Sequence, residues 1–351
     1  MRPSDPHPET DPIQMIDEST DNNHNESQDE ACRRFVLKLL GTGAFLPFGS
    51  GIATAASGPE TVFSFDPNEG EFPENITVDK RGNKYLSMPP RGEIRKIDAD
   101  NQTQSTLATL DPGELGVLGL QVDPQGVLYA CLVSFDPNTH GIWRISRDGT
   151  TDLFAALDPE SFPNDIALAG HSLLVTDSIG GQILRVTNGG TDEWLDDELL
   201  DGDGSFDLGF PVGANGIAAA KDGTIYVANT EKGRIVRVPV NTDDSAGTPT
   251  TFVEGPDLIG ADGIAFDTRE HLYVALVSQN KLVRIAPDGS IETLADENDE
   301  LDAPSDVAFG TTRGEQKDVF ITNFAFPEFS AEPDPTLMKL DVGIPGLPIH
   351  R

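Results

Sequence analysis

The stretch that decides the fold is Asn215-Gly216-Ile217-Ala218, followed by Gly223-Thr224-Ile225-Tyr226-Val227 and then Gly233-Arg234-Ile235-Val236-Arg237-Val238. Each apolar burst is short, alternates or runs for only a few residues, and is bounded by Gly. That is the pattern of strands joined by tight turns and not of a helix. Moving outward, the same three-part phrase returns. After it come Asp262-Gly263-Ile264, His271-Leu272-Tyr273-Val274 and Lys281-Leu282-Val283-Arg284-Ile285, then Ser305-Asp306-Val307, Asp318-Val319-Phe320-Ile321-Thr322 and Leu337-Met338-Lys339-Leu340. Before it come three more units, opening at Glu74-Asn75-Ile76, Leu118-Gly119-Leu120 and Asn164-Asp165-Ile166.

Six units of roughly 45 residues carry the period of propeller blades and not of helical repeats. A fourth, outer strand follows the third one at Thr151 to Leu157, Thr250 to Glu254 and Ile291 to Ala295, but the last unit has none. Thr61-Val62-Phe63-Ser64-Phe65 is a strand without a unit. The expected fold is therefore all-β, a six-bladed β-propeller of four-stranded blades. The N-terminal strand pairs onto the last blade and closes the ring, which leaves no open edge.

The chain holds 59 Asp plus Glu against 24 Lys plus Arg, a formal charge of −35 over 351 residues. Phosphates would be repelled, so nucleic acid is not expected as a partner, nor is an anionic membrane surface. Acidic residues spread over the whole chain suit a protein adapted to high salt, where the mutual repulsion is screened; an ordinary soluble secreted protein is the alternative.

Residues 1–56 read as an address. Met1 to Glu30 are polar and acidic, a composition that cannot bury a core. Cys32-Arg33-Arg34-Phe35-Val36-Leu37-Lys38 then leads into a mildly apolar run to Ala56. This resembles a twin-arginine signal, with Ala53-Thr54-Ala55 as small residues for a peptidase; an uncleaved short anchor is the alternative. The propeller is expected over 57–351, exported to the exterior or the cell envelope, monomeric and without a membrane span once the signal is removed. Of Cys32 and Cys131 only the second remains, so no intramolecular disulfide is expected.

Aligning the units brings one position per blade into register just before the innermost strand: Glu74, Leu118, Asn164, Asn215, Asp262 and Ser305. In a propeller such residues stand at one height around the central channel. Two carboxylates and two amides offer hard oxygen donors of total charge −2, suited to a divalent cation such as Ca²⁺. No His spacing suits zinc. The bland alternative makes Asn-Gly and Asp-Gly ordinary turn residues; it does not account for Glu74 or for the shared register.

Pro73-Glu74-Asn75, Phe162-Pro163-Asn164-Asp165, Asn215-Gly216-Ile217 and Asp262-Gly263-Ile264 resemble the metal-binding motifs of the regucalcin (senescence marker protein)/gluconolactonase family. Ala308-Phe309-Gly310 with Val319-Phe320-Ile321-Thr322 resembles its closing blade. The resemblance implies one divalent cation, usually Ca²⁺, held by Glu74, Asn164, Asn215 and Asp262, with Asp262 also a candidate general base. It implies hydrolysis of a lactone or related ester, a small-molecule substrate. Sugar-lactone hydrolases of the family often carry an Arg where this chain has Phe162, so Phe162, Leu118 and Ser305 are expected to shape a less polar pocket. A non-catalytic exported propeller binding a protein or envelope ligand is the rival reading. A quinone-bearing redox propeller would need clustered His, Arg or Trp, which Trp143 and Trp194 do not form.

Asp201, Asp203 and Asp207 are read as a solvated acidic loop, because the Gly position and the lack of a terminal Glu do not suit a calcium loop. Asn101-Gln102-Thr103 is a glycosylation sequon on an expected loop. His140, His171 and His271 are taken as surface or turn residues. Arg95, Arg144, Arg185, Arg237 and Arg284 recur at matching strand positions and are taken as structural.

Overall fold

The computed structural model describes residues 58–348 apart from His171 and Gly189. The leader and the twin-arginine-type segment lie outside the described residues, as does His171. Six four-stranded antiparallel sheets follow one another along the chain. Their inner strands are Ile76–Val78, Gly116–Val122, Pro163–Ala169, Ala214–Ala219, Ala261–Phe266 and Pro304–Phe309. The chain is a six-bladed β-propeller, as the repeats require. The outer strand of the last blade is the N-terminal segment Glu60–Ser64, which pairs antiparallel with Thr336–Asp341.

Six hydrophobic clusters fill the structure, and each straddles two neighbouring blades. One joins Ile94 and Leu110 of the first blade to Val117 and Leu132 of the second. The seam where the ring closes joins Ile76 and Leu86 to Ala308, Phe320 and Leu337. A blade thus has no core of its own, and each face is buried only by its neighbour. The closing seam also holds an ion pair. Lys84 is fully buried and reaches Glu315 of the last blade at 2.8 Å, with Asn101 Oδ1 at 2.7 Å and the Phe320 ring centre at 4.5 Å. Asn101, the sequon residue, also donates its amide to Glu315 Oε1 at 2.6 Å, so its side chain belongs to the seam.

Three of the five recurring arginines make cross-strand pairs from the third strand to acids of the fourth, Arg144 to Asp152, Arg185 to Asp192 and Arg284 to Glu292, whereas Arg95 is buried and pairs with Glu71 and Glu93. Exposed pairs of this kind contribute little stability each. His140 corrects an expectation: it is fully buried, stacked on Phe135, and not a surface residue. His271 does sit in a turn, against Asp267 at 2.8 Å. No helix among the described residues is long and apolar enough to cross a membrane.

Candidate functional site at the channel mouth

The aligned positions differ in one detail from the expectation that they stand just before the innermost strand. In five blades they lie inside the inner strand, on an irregularity of the ladder. The register shifts between Val117 and Leu120, Pro163 and Ile166, Ala214 and Ile217, Ala261 and Ile264, and Pro304 and Asp306. Such a bulge bends the strand and re-aims one side chain, here into a shared cavity for Leu118, Asn164, Asn215 and Asp262. Only Glu74 precedes its strand, by two residues. The glycines after Asn215 and Asp262 are not turn glycines. A Cβ on Gly216 would collide with the Asp262 carbonyl of the next blade, and one on Gly263 with Asp306. Inner strands approach too closely there for any side chain.

Glu74, Asn164, Asn215 and Asp262 are all buried and line one cavity of about 380 Å³, together with Leu118 and Phe162. Ser305 does not line it. Its hydroxyl donates to the Glu74 carbonyl at 2.5 Å and lies 3.0 Å from Thr322 Oγ1. The orientation of both amides follows from their partners. Asn164 Nδ2 donates to Ser178 Oγ at 2.9 Å, and that hydroxyl donates to the Ala214 carbonyl at 2.6 Å. Asn215 Nδ2 donates to Thr230 Oγ1 at 3.0 Å, which donates to the Ala261 carbonyl at 2.8 Å. A hydroxyl has one proton, so each must accept from the amide nitrogen, which leaves the amide oxygen for a ligand. The same bonds clasp the third blade to the fourth and the fourth to the fifth.

The residues after three of the six aligned positions, Asn75, Asp165 and Asp306, form a second tier that sequence reasoning missed. Asn75 Oδ1 accepts from Leu120 N, Asp165 Oδ2 from Ile217 N, and Asp306 Oδ2 from Ile76 N, each about one blade further round at 2.9, 3.0 and 2.9 Å. The signal was present, since Asp165 and Asp306 directly follow aligned positions. Asp165, Asp306 and the two ring carboxylates are all buried. Burial raises Glu74 well above the usual carboxylate range; Asp262, Asp306 and Asp165 add to this, and the Ser87 hydroxyl opposes it. Burial followed by Asp165 raises Asp262 in the same way, against the hydrogen bond from Asn215. Asp165 is pushed up to about 6 by burial, with the backbone bonds from Ile217 and Ile166 holding it down. This crowding of negative groups favours a cation or protons at the axis.

Among the described residues no group of three or more His, Cys, Asp or Glu side chains is placed to hold a metal ion. The ring is of another kind, two carboxylates with two amide oxygens. Its donors are all hard oxygen atoms.

The rest of the cavity wall is mostly apolar, with seven phenylalanines beside Pro, Leu and Val residues and with Glu114 and Thr230. Phe72, Phe162, Phe206, Phe210, Phe324, Phe326 and Phe329 line it. Most come from loops far apart in sequence, with no period to betray them. The loop bearing Asp201, Asp203 and Asp207, all exposed, carries Phe206 and Phe210. It is anchored by Glu231, whose carboxylate accepts from the N–H groups of Asp203, Gly204 and Phe206.

Residues 211–324 match the SMP-30/Gluconolactonase/LRE-like region, the family the motifs resemble. No curated protein matches the chain. Among solved structures, the calcium-binding protein regucalcin from Agrobacterium tumefaciens is similar with a TM-score of 0.60 and 18% identity, over 83% of this chain and 94% of that one. A gluconolactonase from Xanthomonas campestris gives 0.56 and 16%, over 86% and 99%. Virginiamycin B lyase from Staphylococcus aureus gives 0.55 and 19%, over 79% and 82%. At these identities the likeness is one of fold, and it extends to an enzyme named as a lyase.

Proposed function

We propose that this propeller is a hydrolase of a lactone or related ester that works with one divalent cation, of the Ca²⁺ type, at the channel mouth. The observation that carries this reading is the ring itself: Glu74, Asn164, Asn215 and Asp262 bordering one cavity, with both amides turned by hydroxyls so that their oxygens are available. These donors fit a hard cation in type and charge and would leave its remaining places to water and substrate. When bound, such an ion supplies Lewis acidity toward a carbonyl.

The chain's own groups do the rest. Asp262, raised by burial, is the candidate base that takes a proton from water as it attacks the substrate carbonyl. Glu74, two blades round the ring from Asp262, supplies the second negative charge. The aromatic walls keep bulk water from the reacting centre and strengthen the electrostatics inside. Glu74→Gln and Asp262→Asn should each lower hydrolysis of a lactone and aryl-ester panel by about a hundredfold or more. Full activity in either variant, with the fold intact by circular dichroism, would defeat the proposal.

A further inference from the structure

We infer that the cavity selects a lactone or ester bearing a hydrocarbon substituent, alkyl or aryl, over a polyhydroxylated one. The reaction in this statement rests on the hydrolase reading above; the recognition does not. The buried polar side chains of the cavity gather where Glu74, Asn164, Asn215 and Asp262 meet, with Thr230 behind Asn215; the other charged residue of the wall, Glu114, is solvent-exposed, and the remainder are Phe, Leu, Val and Pro. A substrate must therefore present one compact polar group there and apolar surface elsewhere.

The apolar wall is built in advance. Phe324 and Phe326 stack with ring centres 4.8 Å apart and planes 6° apart, and Phe72 stands edge-on to both at 6.4 and 5.2 Å. On the other side Phe162 packs on Phe210 at 5.3 Å. The stack depends on Ala325, a buried residue held at φ 47°, in the left-handed region that a Cβ disfavours. Its N–H donates to the Asp302 carbonyl at 3.1 Å, and that of Phe324 to the Ala303 carbonyl at 3.1 Å, which pins the turn. Phe162 is fixed by its own N–H to Asp177 Oδ1 at 2.8 Å. Rings held this way lose little freedom on binding, so burial of a hydrocarbon against them translates into affinity. Phe324 and Phe326 are themselves only half-buried and gain from being covered. Sugar hydroxyls laid against the same rings would lose water without a replacement partner. The volume, about 380 Å³, lies at the small end of small-molecule sites, so the gain should stop once a short chain fills it.

The test uses γ-lactones with a hydrogen, ethyl, butyl or hexyl substituent, glucono-δ-lactone, and the corresponding γ-lactams as ligands that are not turned over. With calcium present, kcat/KM is expected to climb about fourfold per methylene until the cavity is full, with lactam Kd falling in parallel. Glucono-δ-lactone should be at least about a hundredfold poorer. Phe326→Ser and Phe206→Ser, both at partly exposed loop positions, should flatten the series. Chain-length-dependent lactam binding without any lactone turnover would support the recognition and defeat the hydrolase reading. Lactam affinity independent of chain length, or preferred turnover of glucono-δ-lactone, would overturn the inference while leaving hydrolysis standing.

Discussion

Replacing Asp262 by Asn sets two effects of opposite sign against each other. Without metal, Asp262 and Glu74 are buried carboxylates with two more, Asp165 and Asp306, in the tier behind. An Asn at 262 keeps the shape and still accepts the hydrogen bond that Asn215 directs at this position. Neutralising a buried charge that lacks a cationic partner is expected to stabilise by about 1–3 kcal/mol. For a domain of this size, each kcal/mol moves Tm by about 2–4 °C. With calcium at about a hundred times its Kd, the wild type gains about 2.7 kcal/mol, roughly 5–10 °C, and the variant gains little. The order of melting should therefore invert. Asp262→Asn melts above the wild type in EDTA and below it in calcium, by scanning calorimetry at mildly alkaline pH. A variant that is less stable in EDTA yet keeps the full calcium increment would refute both the crowding and the ligand assignment.

Thr230→Val removes the hydroxyl that orients Asn215, and calcium affinity by calorimetry should fall about 10-fold or more; an unchanged Kd would remove Thr230 from the metal's support. Lys84→Met should destabilise by about 3 kcal/mol in urea titrations because Glu315 loses its cationic partner and keeps only the Asn101 amide, while Lys84→Met with Glu315→Leu should recover much of the loss. A double variant as unstable as the sum would show that the pair is not coupled. His140 is pulled by burial from 6.5 to about 4. Its Nε2–H points at Ser161 Oγ, already a donor to the Asp158 carbonyl, and its Nδ1 accepts from Phe135 N, so the folded ring stays neutral. The unfolded chain takes up the proton first as pH falls. The contribution is complete above about pH 6.5 and shrinks by about 3 kcal/mol by about pH 4. His140→Gln should lack that slope, and parallel stability curves over this window would rule out the neutral buried ring.

Period and register were legible because a propeller writes them once per blade. The strand without a unit found its partner at Thr336–Asp341, as closure demands. Bulges were not legible. Asn215-Gly216 and Asp262-Gly263 look like turns, and only the packing of adjacent inner strands reveals why glycine is required. Asp165 and Asp306 stood one residue beyond the aligned position, yet their role depends on N–H groups in the neighbouring blade. The aromatic collar escaped because Phe72, Phe206, Phe210, Phe326 and Phe329 sit in loops that share no spacing. Phe162 alone hinted at it. His140 looked like a surface residue because nothing local distinguishes a buried imidazole from an exposed one.

The most direct measurement is turnover of an alkyl γ-lactone by protein stripped with EDTA and then titrated with calcium. Activity should be absent after stripping and return in proportion to added ion, saturating at about one equivalent per chain, and Glu74→Gln should not recover. Full hydrolysis by the stripped protein, or by Glu74→Gln, would contradict a cation held by the oxygen ring as the centre of the reaction.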